Sequence, residues 1–173
     1  FSAQLSFAVD AATAAAIHAT APSLSSVAVE RIAQEYGKIV EAPFAVDALR
    51  AFPDVVAMAV PHVAPMVGFD QKSRWHCYDV WEHCLHARGF LSADAPSALC
   101  HATLLHDIGK PSCFVLGEDG RGHFYGHEEA GALLLVEDYT RLRWPVGEVR
   151  LMEYLVHYHD RPIEDSPRGI RRA

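Results

Sequence analysis

The sequence has no C-x-x-C pair, no apolar run of membrane-spanning length, no internal repeat and no excess of positive charge. Four cysteines, Cys77, Cys84, Cys100 and Cys113, without close pairing exclude a zinc knuckle or dithiol redox motif. They read as reduced thiols, mostly buried, of a cytosolic protein. A membrane span needs ~20 consecutive apolar residues, and none occurs. The alanine-rich start carries Asp10 and no basic leader, so it is not expected to act as a secretory signal. With 22 acidic against 15 basic side chains and a formal charge of −7, the balance is opposite to that of a free-standing nucleic-acid binder. The chain opens at Phe1 without methionine and ends in "RGIRRA", and it is expected to be a piece of something longer.

Histidine is what the chain has in quantity. There are 11, most of them after His76. Half of the composition is hydrophobic, enough for one compact domain or a domain with part of another. Periodicity predicts helices nearly throughout. In "VAVERIAQEYGKIV", Val29, Ile32, Ala33, Tyr36 and Val40 share one face. Short helices are expected in "PFAVDALRAF" and "DVVAMAVPHVAPMV", broken by Pro43, Pro53, Pro61 and Pro65. "YDVWEHCLHARGFL" opens with Asp79 and has Glu82 three residues later, a capping-box signature. "SALCHATLLHDI", "HEEAGALLLVEDYTRL" and "VGEVRLMEYLVHYH" are further helices. The exception is Phe114 to Tyr125, where two β-branched and aromatic runs flank Glu118-Asp119-Gly120 and predict a hairpin. The Pro-punctuated stretch between about 53 and 70 divides a histidine-poor block from a histidine-rich one.

"LLHDIGK", residues 104 to 110, holds a His-Asp pair that burial alone would penalise. The residues after it read as a helix end, with Gly109 as a left-handed stop, Lys110 at the negative pole and Pro111 beyond. His83 near the start of one helix, His106 and Asp107 near the end of the next, His127 opening a third and His159 closing a fourth can converge in a bundle. Imidazoles with a carboxylate suit nickel, manganese, iron, cobalt or zinc, as one ion or two. Such a centre activates water and clamps a phosphoryl oxygen, with Lys110 as a phosphate-facing charge. His157, two residues from His159, points elsewhere. His18, His62, His86 and His101 are expected at the surface or the edge of the core, and His76 and His123 are open.

These residues carry a resemblance. His83 followed by His106-Asp107 resembles the HD metal-dependent phosphohydrolase superfamily. "HDIGKP", "GRGHFYGHEEAGA" and "YHDRPI" together resemble the HD domain of bacterial CCA-adding tRNA nucleotidyltransferases and related poly(A) polymerases. The first forty residues, "ERIAQEYGKI" above all, are similar to that family's neck helices, although Ala28 stands where a serine cap is usual.

The resemblance implies an all-α helical bundle of HD type, with a helical neck segment over 1–60 and an HD domain, truncated at its C-terminus, over 61–173. It implies metal ligands at His83, His106, Asp107, His127 and His159, and a catalytic role for His106, Asp107 and Lys110. The superfamily's last aspartate is expected beyond Ala173, with Asp160 as a weaker substitute. Nucleotide addition in that family needs an Asp-x-Asp pair, which is absent here. The expected activity is therefore hydrolysis of cyclic phosphates, 2′-nucleotides or phosphomonoesters, and the expected partners are such a nucleotide or phosphoester and, through the longer protein, tRNA. The alternative is an inert helical module that docks tRNA or a partner, with Arg168, Arg171 and Arg172 as its basic patch. Replacing Asp107 by alanine is expected to end hydrolysis yet spare the fold, since a carboxylate at a helix C-terminus is unfavourable.

Overall fold

A computed structural model describes residues 1–73 and 77–162, so His76 and the patch of Arg168, Arg171 and Arg172 lie outside the described residues. The fold is an all-α bundle with one two-stranded sheet. It begins with α1 (Ser2–Leu5) and α2 (Ala11–Thr20), followed by a 3-10 segment, Ala21–Ser26. Next come α3 (Val29–Val40), α4 (Ala45–Ala51), α5 (Pro53–Ala59) and a second 3-10 segment, Pro61–Met66. The histidine-rich half holds α6 (Val80–Gly89), α7 (Ser97–Leu105), α8 (Lys110–Cys113), α9 (His127–Arg141) and α10 (Val146–His157). No helix among the described residues is long and apolar enough to cross a membrane.

Local chemistry sets several of these boundaries. Asp10 caps α2, accepting from the backbone N–H groups of Ala12 and Thr13. Asp79 caps α6 through the N–H of Glu82 at 2.6 Å, and its second oxygen takes the N–H of Gly68 at 2.9 Å. The capping box is only half made, because Arg50 claims the Glu82 carboxylate at 2.7 Å. Ala28 gives α3 no side-chain cap. The expected hairpin is present as β1 (Val115–Leu116) antiparallel to β2 (Gly122–His123), with Val115 opposite His123 and Leu116 opposite Gly122.

One hydrophobic core runs through both halves. Tyr36 and Val40 of α3 and Leu49 of α4 are buried in the same cluster as Leu104 and Leu105 of α7, Leu135 and Tyr139 of α9 and Met152 of α10. Polar contacts cross the same seam. Tyr139 OH donates to Tyr36 OH, and His101, fully buried, lies 2.6 Å from Tyr139 OH. His101 therefore belongs to the core. His18, His62 and His86 stand beside Asp54, Asp138 and Glu82 respectively.

Arg88 is a further such link, and a charged one. Its buried guanidinium donates to the carbonyls of Val40, at 2.9 Å, and Ala42, satisfying acceptors at the C-terminus of α3. Charged hydrogen bonds of this kind contribute ~1.5–3 kcal/mol. Arg88→Met is expected to lower unfolding stability by about 2 kcal/mol, read from urea denaturation; a change under about 0.5 kcal/mol would show that water replaces the guanidinium there.

Candidate metal centre

Helix α7 stops at Leu105, and His106 to Gly109 form a turn before α8 begins at Lys110. Gly109 is not the expected left-handed stop. Its φ is −78°, and it is the residue before α8. Its lack of a side chain serves packing, because a Cβ would collide with the carbonyl oxygen of His127 and lie 2.6 Å from the N of Gly131. The His106–Asp107 turn is thereby pressed against the first turns of α9. Lys110 likewise starts a helix and does not close one.

Asp107 is 1% exposed, and imidazoles surround it. Its Oδ2 lies 3.4 Å from His83 Nε2 and 3.3 Å from His106 Nε2. Those two nitrogens are 3.1 Å apart. Its Oδ1 lies 3.4 Å from His127 Nε2 and 3.5 Å from His159 Nε2. One carboxylate thus faces two histidine pairs, one pair on each oxygen. With bonds of ~2.0–2.1 Å, donors sharing an ion stand about 2.9–3.4 Å apart, which matches these separations. His83, His106 and Asp107 form one group able to hold an ion, and Asp107, His127 and His159 form another.

The rings are held for that task. His106 Nδ1 is 2.8 Å from Thr103 O, His127 Nδ1 is 2.9 Å from Phe124 O, and His159 Nδ1 is 2.7 Å from Val156 O. In each case the carbonyl belongs to the residue three positions earlier. An Nδ1–H donated to a backbone carbonyl leaves Nε2 with its lone pair toward the centre, the orientation that metal-binding histidines need. Asp107 Oδ2 and His127 Nε2 are both buried without a hydrogen-bond partner. Lys110 Nζ approaches Oδ2 at 2.7 Å as an ion pair, outside hydrogen-bonding alignment. Buried polar atoms left unpaired are costly, and a cation on each side of the carboxylate would satisfy them, one at Oδ2 and one at His127 Nε2.

Burial pushes the Asp107 carboxyl up, but the His106, His127 and His159 imidazoles outweigh it and hold the group far below the usual carboxylate range. For His106, burial pulls the imidazole down, and Cys84 and Asp107 raise it well above its ordinary value. His127 is raised as well, with Asp107 outweighing burial.

Two readings of single residues change. Asp107 does follow the end of α7 directly, but it is a buried anion ringed by imidazoles, so its removal is expected to cost stability and not to spare the fold. Lys110 does not stand as an open, phosphate-facing charge. It is 7% exposed and sits between Asp107 Oδ2 and Gln71 Oε1, the latter at 3.1 Å.

Asp160 stands at the rim, with one oxygen 3.6 Å from His127 Nε2 and the other 3.7 Å from His159 Nε2. Glu128, which the sequence patterns did not single out, joins His127 and Asp160 in a third group of possible donors. His157 is exposed against Tyr158 and stays outside, and His123 stacks on Tyr125. A cavity of about 410 Å³, lined by Ala87, Leu99, Ala102, Thr103 and Leu155, opens beside His106 and His159.

Residues 6–55 match the family described as "Probable RNA and SrmB-binding site of polymerase A". Across 94% of the chain, the sequence is 33% identical to the A-adding tRNA nucleotidyltransferase of Deinococcus radiodurans. Across 83%, it is 32% identical to the CC-adding tRNA nucleotidyltransferase of Thermus thermophilus. The chain belongs to the tRNA nucleotidyltransferase family. It spans 40% of the length of the first relative and 34% of the second. The similarity runs through the histidine centre as well as the α2–α5 region that the family description covers. A tRNA nucleotidyltransferase relative thus shares the stretch of chain from which Asp107 and its imidazoles come.

Proposed function

We propose that residues 61–173 form an HD-type, metal-dependent phosphohydrolase domain and that residues 1–60 are the neck of a tRNA nucleotidyltransferase of the CCA-adding family. The observation that carries this reading is the shared carboxylate: two oxygens of one buried aspartate, each facing two imidazoles, three of which are locked by their own backbone. His83, His106 and Asp107 would hold one divalent ion, and Asp107, His127 and His159 a second. Nickel, manganese, iron, cobalt and zinc all suit this donor set. When bound, such ions lower the pKa of water and polarise a phosphoryl oxygen.

The chain's own residues do the rest. Asp107 fixes the relative placement of the two positions. The walls beside His106 and His159 take the organic part of a phosphoester or nucleotide and exclude bulk water from it. Asp160, 60% exposed at the rim, is placed to accept a proton on the His127 side through Oδ2.

Protein purified without an affinity tag is expected to contain between one and two equivalents of transition metal by elemental analysis and to cleave 2′,3′-cyclic AMP. Absence of metal after incubation with each of the five ions, with excess removed, would end this reading. Incorporation of CTP or ATP onto tRNA lacking its 3′ end is expected to be undetectable, since no Asp-x-Asp pair is present to hold magnesium. Nucleotide addition by the chain itself would refute that assignment.

A second reading is favoured by the family description over residues 6–55. In it the neck contributes RNA contact, and the histidine centre is inert. Lys38 and Arg50 in that stretch are already paired with Glu35 and Glu82, so such contact would rest on shape more than on charge. Metal uptake without any phosphoester cleavage, together with tRNA binding by the isolated chain, would select this reading. Both readings place the protein in the cytoplasm.

A further inference from the structure

Gln71 is a buried polar side chain beside the centre that neither the sequence patterns nor the proposed chemistry uses. It is 1% exposed and lies in the segment between the 3-10 turn and α6. Its amide spans two neighbours: Oε1 accepts from Lys110 Nζ at 3.1 Å, and Nε2 donates to Tyr78 O at 3.2 Å. The hairpin holds it in place. The N–H of Gly122 donates to Lys72 O, and a Cβ on Gly122 would collide with the carbonyl oxygen of Gln71. Phe124 closes the other side, its ring centroid 5.5 Å from Lys110 Nζ.

We infer that Gln71 is a positioning residue: it shares the Lys110 ammonium with Asp107 and thereby sets how freely Asp107 Oδ2 accepts a metal ion. This rests on the metal-centre reading given above. Oδ2 is the oxygen that faces His83 and His106, and Lys110 is its cationic neighbour at 2.7 Å. An ion arriving on Oδ2 competes with that ammonium. An acceptor on the far side of Lys110 weakens the competition by drawing the charge away. Deleting the acceptor leaves Asp107 as the stronger of the two partners, so the ion meets a tighter pair. Replacing it with a carboxylate draws Lys110 off and opens Oδ2.

The test uses the full chain, stripped of metal, with Ni²⁺ as the probe in titration calorimetry. Gln71→Met is expected to weaken Ni²⁺ binding about tenfold, the size of one hydrogen bond to a charged group. Gln71→Glu should bind Ni²⁺ at least as tightly as the unmodified chain. Both variants lose the donor to Tyr78 O, so equal weakening in the two would show that Gln71 matters only through Tyr78, and the inference fails. In a Lys110→Met background, Gln71→Met should leave Ni²⁺ affinity unchanged within about twofold; a retained tenfold effect overturns the proposal.

A second measurement separates this inference from the metal reading. In metal-free protein, urea midpoints of the Gln71→Met, Lys110→Met and double variants should be non-additive, as for residues in contact. If the unmodified chain takes up no Ni²⁺, the metal reading fails, and this cycle still decides the link: non-additivity supports it and additivity overturns it.

Discussion

Asp107→Asn is expected to remove both metal positions together and to lower phosphoester cleavage at least ~10³-fold, since water activation and substrate clamping depend on the same ions. The contrast with single histidines is the informative part. His83→Ala touches only the Oδ2 side, and His159→Ala only the Oδ1 side. Each should leave the other position able to bind, so metal content should fall by about one equivalent and not two. Asparagine keeps the shape but loses the charge. Lys110 is then a buried cation whose carboxylate partner is gone, and breaking a buried pair in this way costs ~3–5 kcal/mol. Partial relief should come from the crowded imidazoles, which no longer need to balance an anion. A net loss of about 2–3 kcal/mol in metal-free protein is the expected value. Retention of two equivalents of metal by Asp107→Asn would dismiss the shared-carboxylate arrangement.

Gly109→Ala is expected to be the most damaging methyl in the histidine-rich half. The added carbon meets backbone on two sides, the carbonyl of His127 and the amide of Gly131, and neither can rotate away as a side chain would. The turn carrying His106 and Asp107 must then separate from α9. Overpacking of this kind costs ~1–3 kcal/mol where side chains can yield, and more where only main chain is available. A loss of at least about 3 kcal/mol follows, a drop of roughly 10 °C in Tm for a domain of this size. Because His127 rides on α9, metal uptake should weaken on the Oδ1 side more than on the Oδ2 side. A variant that melts like the unmodified chain would show that α9 is not seated on Gly109.

Local signals were legible in the sequence where the physics is local. Asp79 followed by Glu82 marked the start of α6, and the Glu118-Asp119-Gly120 turn marked the hairpin, because capping and turn chemistry act within a few residues. The gathering of His83, His106, Asp107, His127 and His159 could be anticipated from helix ends and from family likeness. Gly109 misled because glycine has two uses that look alike in sequence: a left-handed backbone and a close approach. Only the arrival of α9 against it tells them apart. Lys110 misled for a related reason, since its partner Gln71 is 39 residues away and carries no motif. Glu82 shows the same limit in miniature: its expected return to the cap was pre-empted by Arg50 from α4.

The carbonyls of Thr103, Phe124 and Val156 have a mechanical consequence. Each belongs to a different stretch of main chain, and each holds one imidazole by its Nδ1. Tension on the rings is therefore delivered to the end of α7, the approach to α9 and the end of α10 at once. Two ions joined through Asp107, one on the His106 side and one on the His127 and His159 side, would act as a fastener for three helix ends, damping their fraying in unison. Deuterium uptake at those three places should rise and fall as a single signal when the centre is filled or stripped, even though they are scattered along the chain.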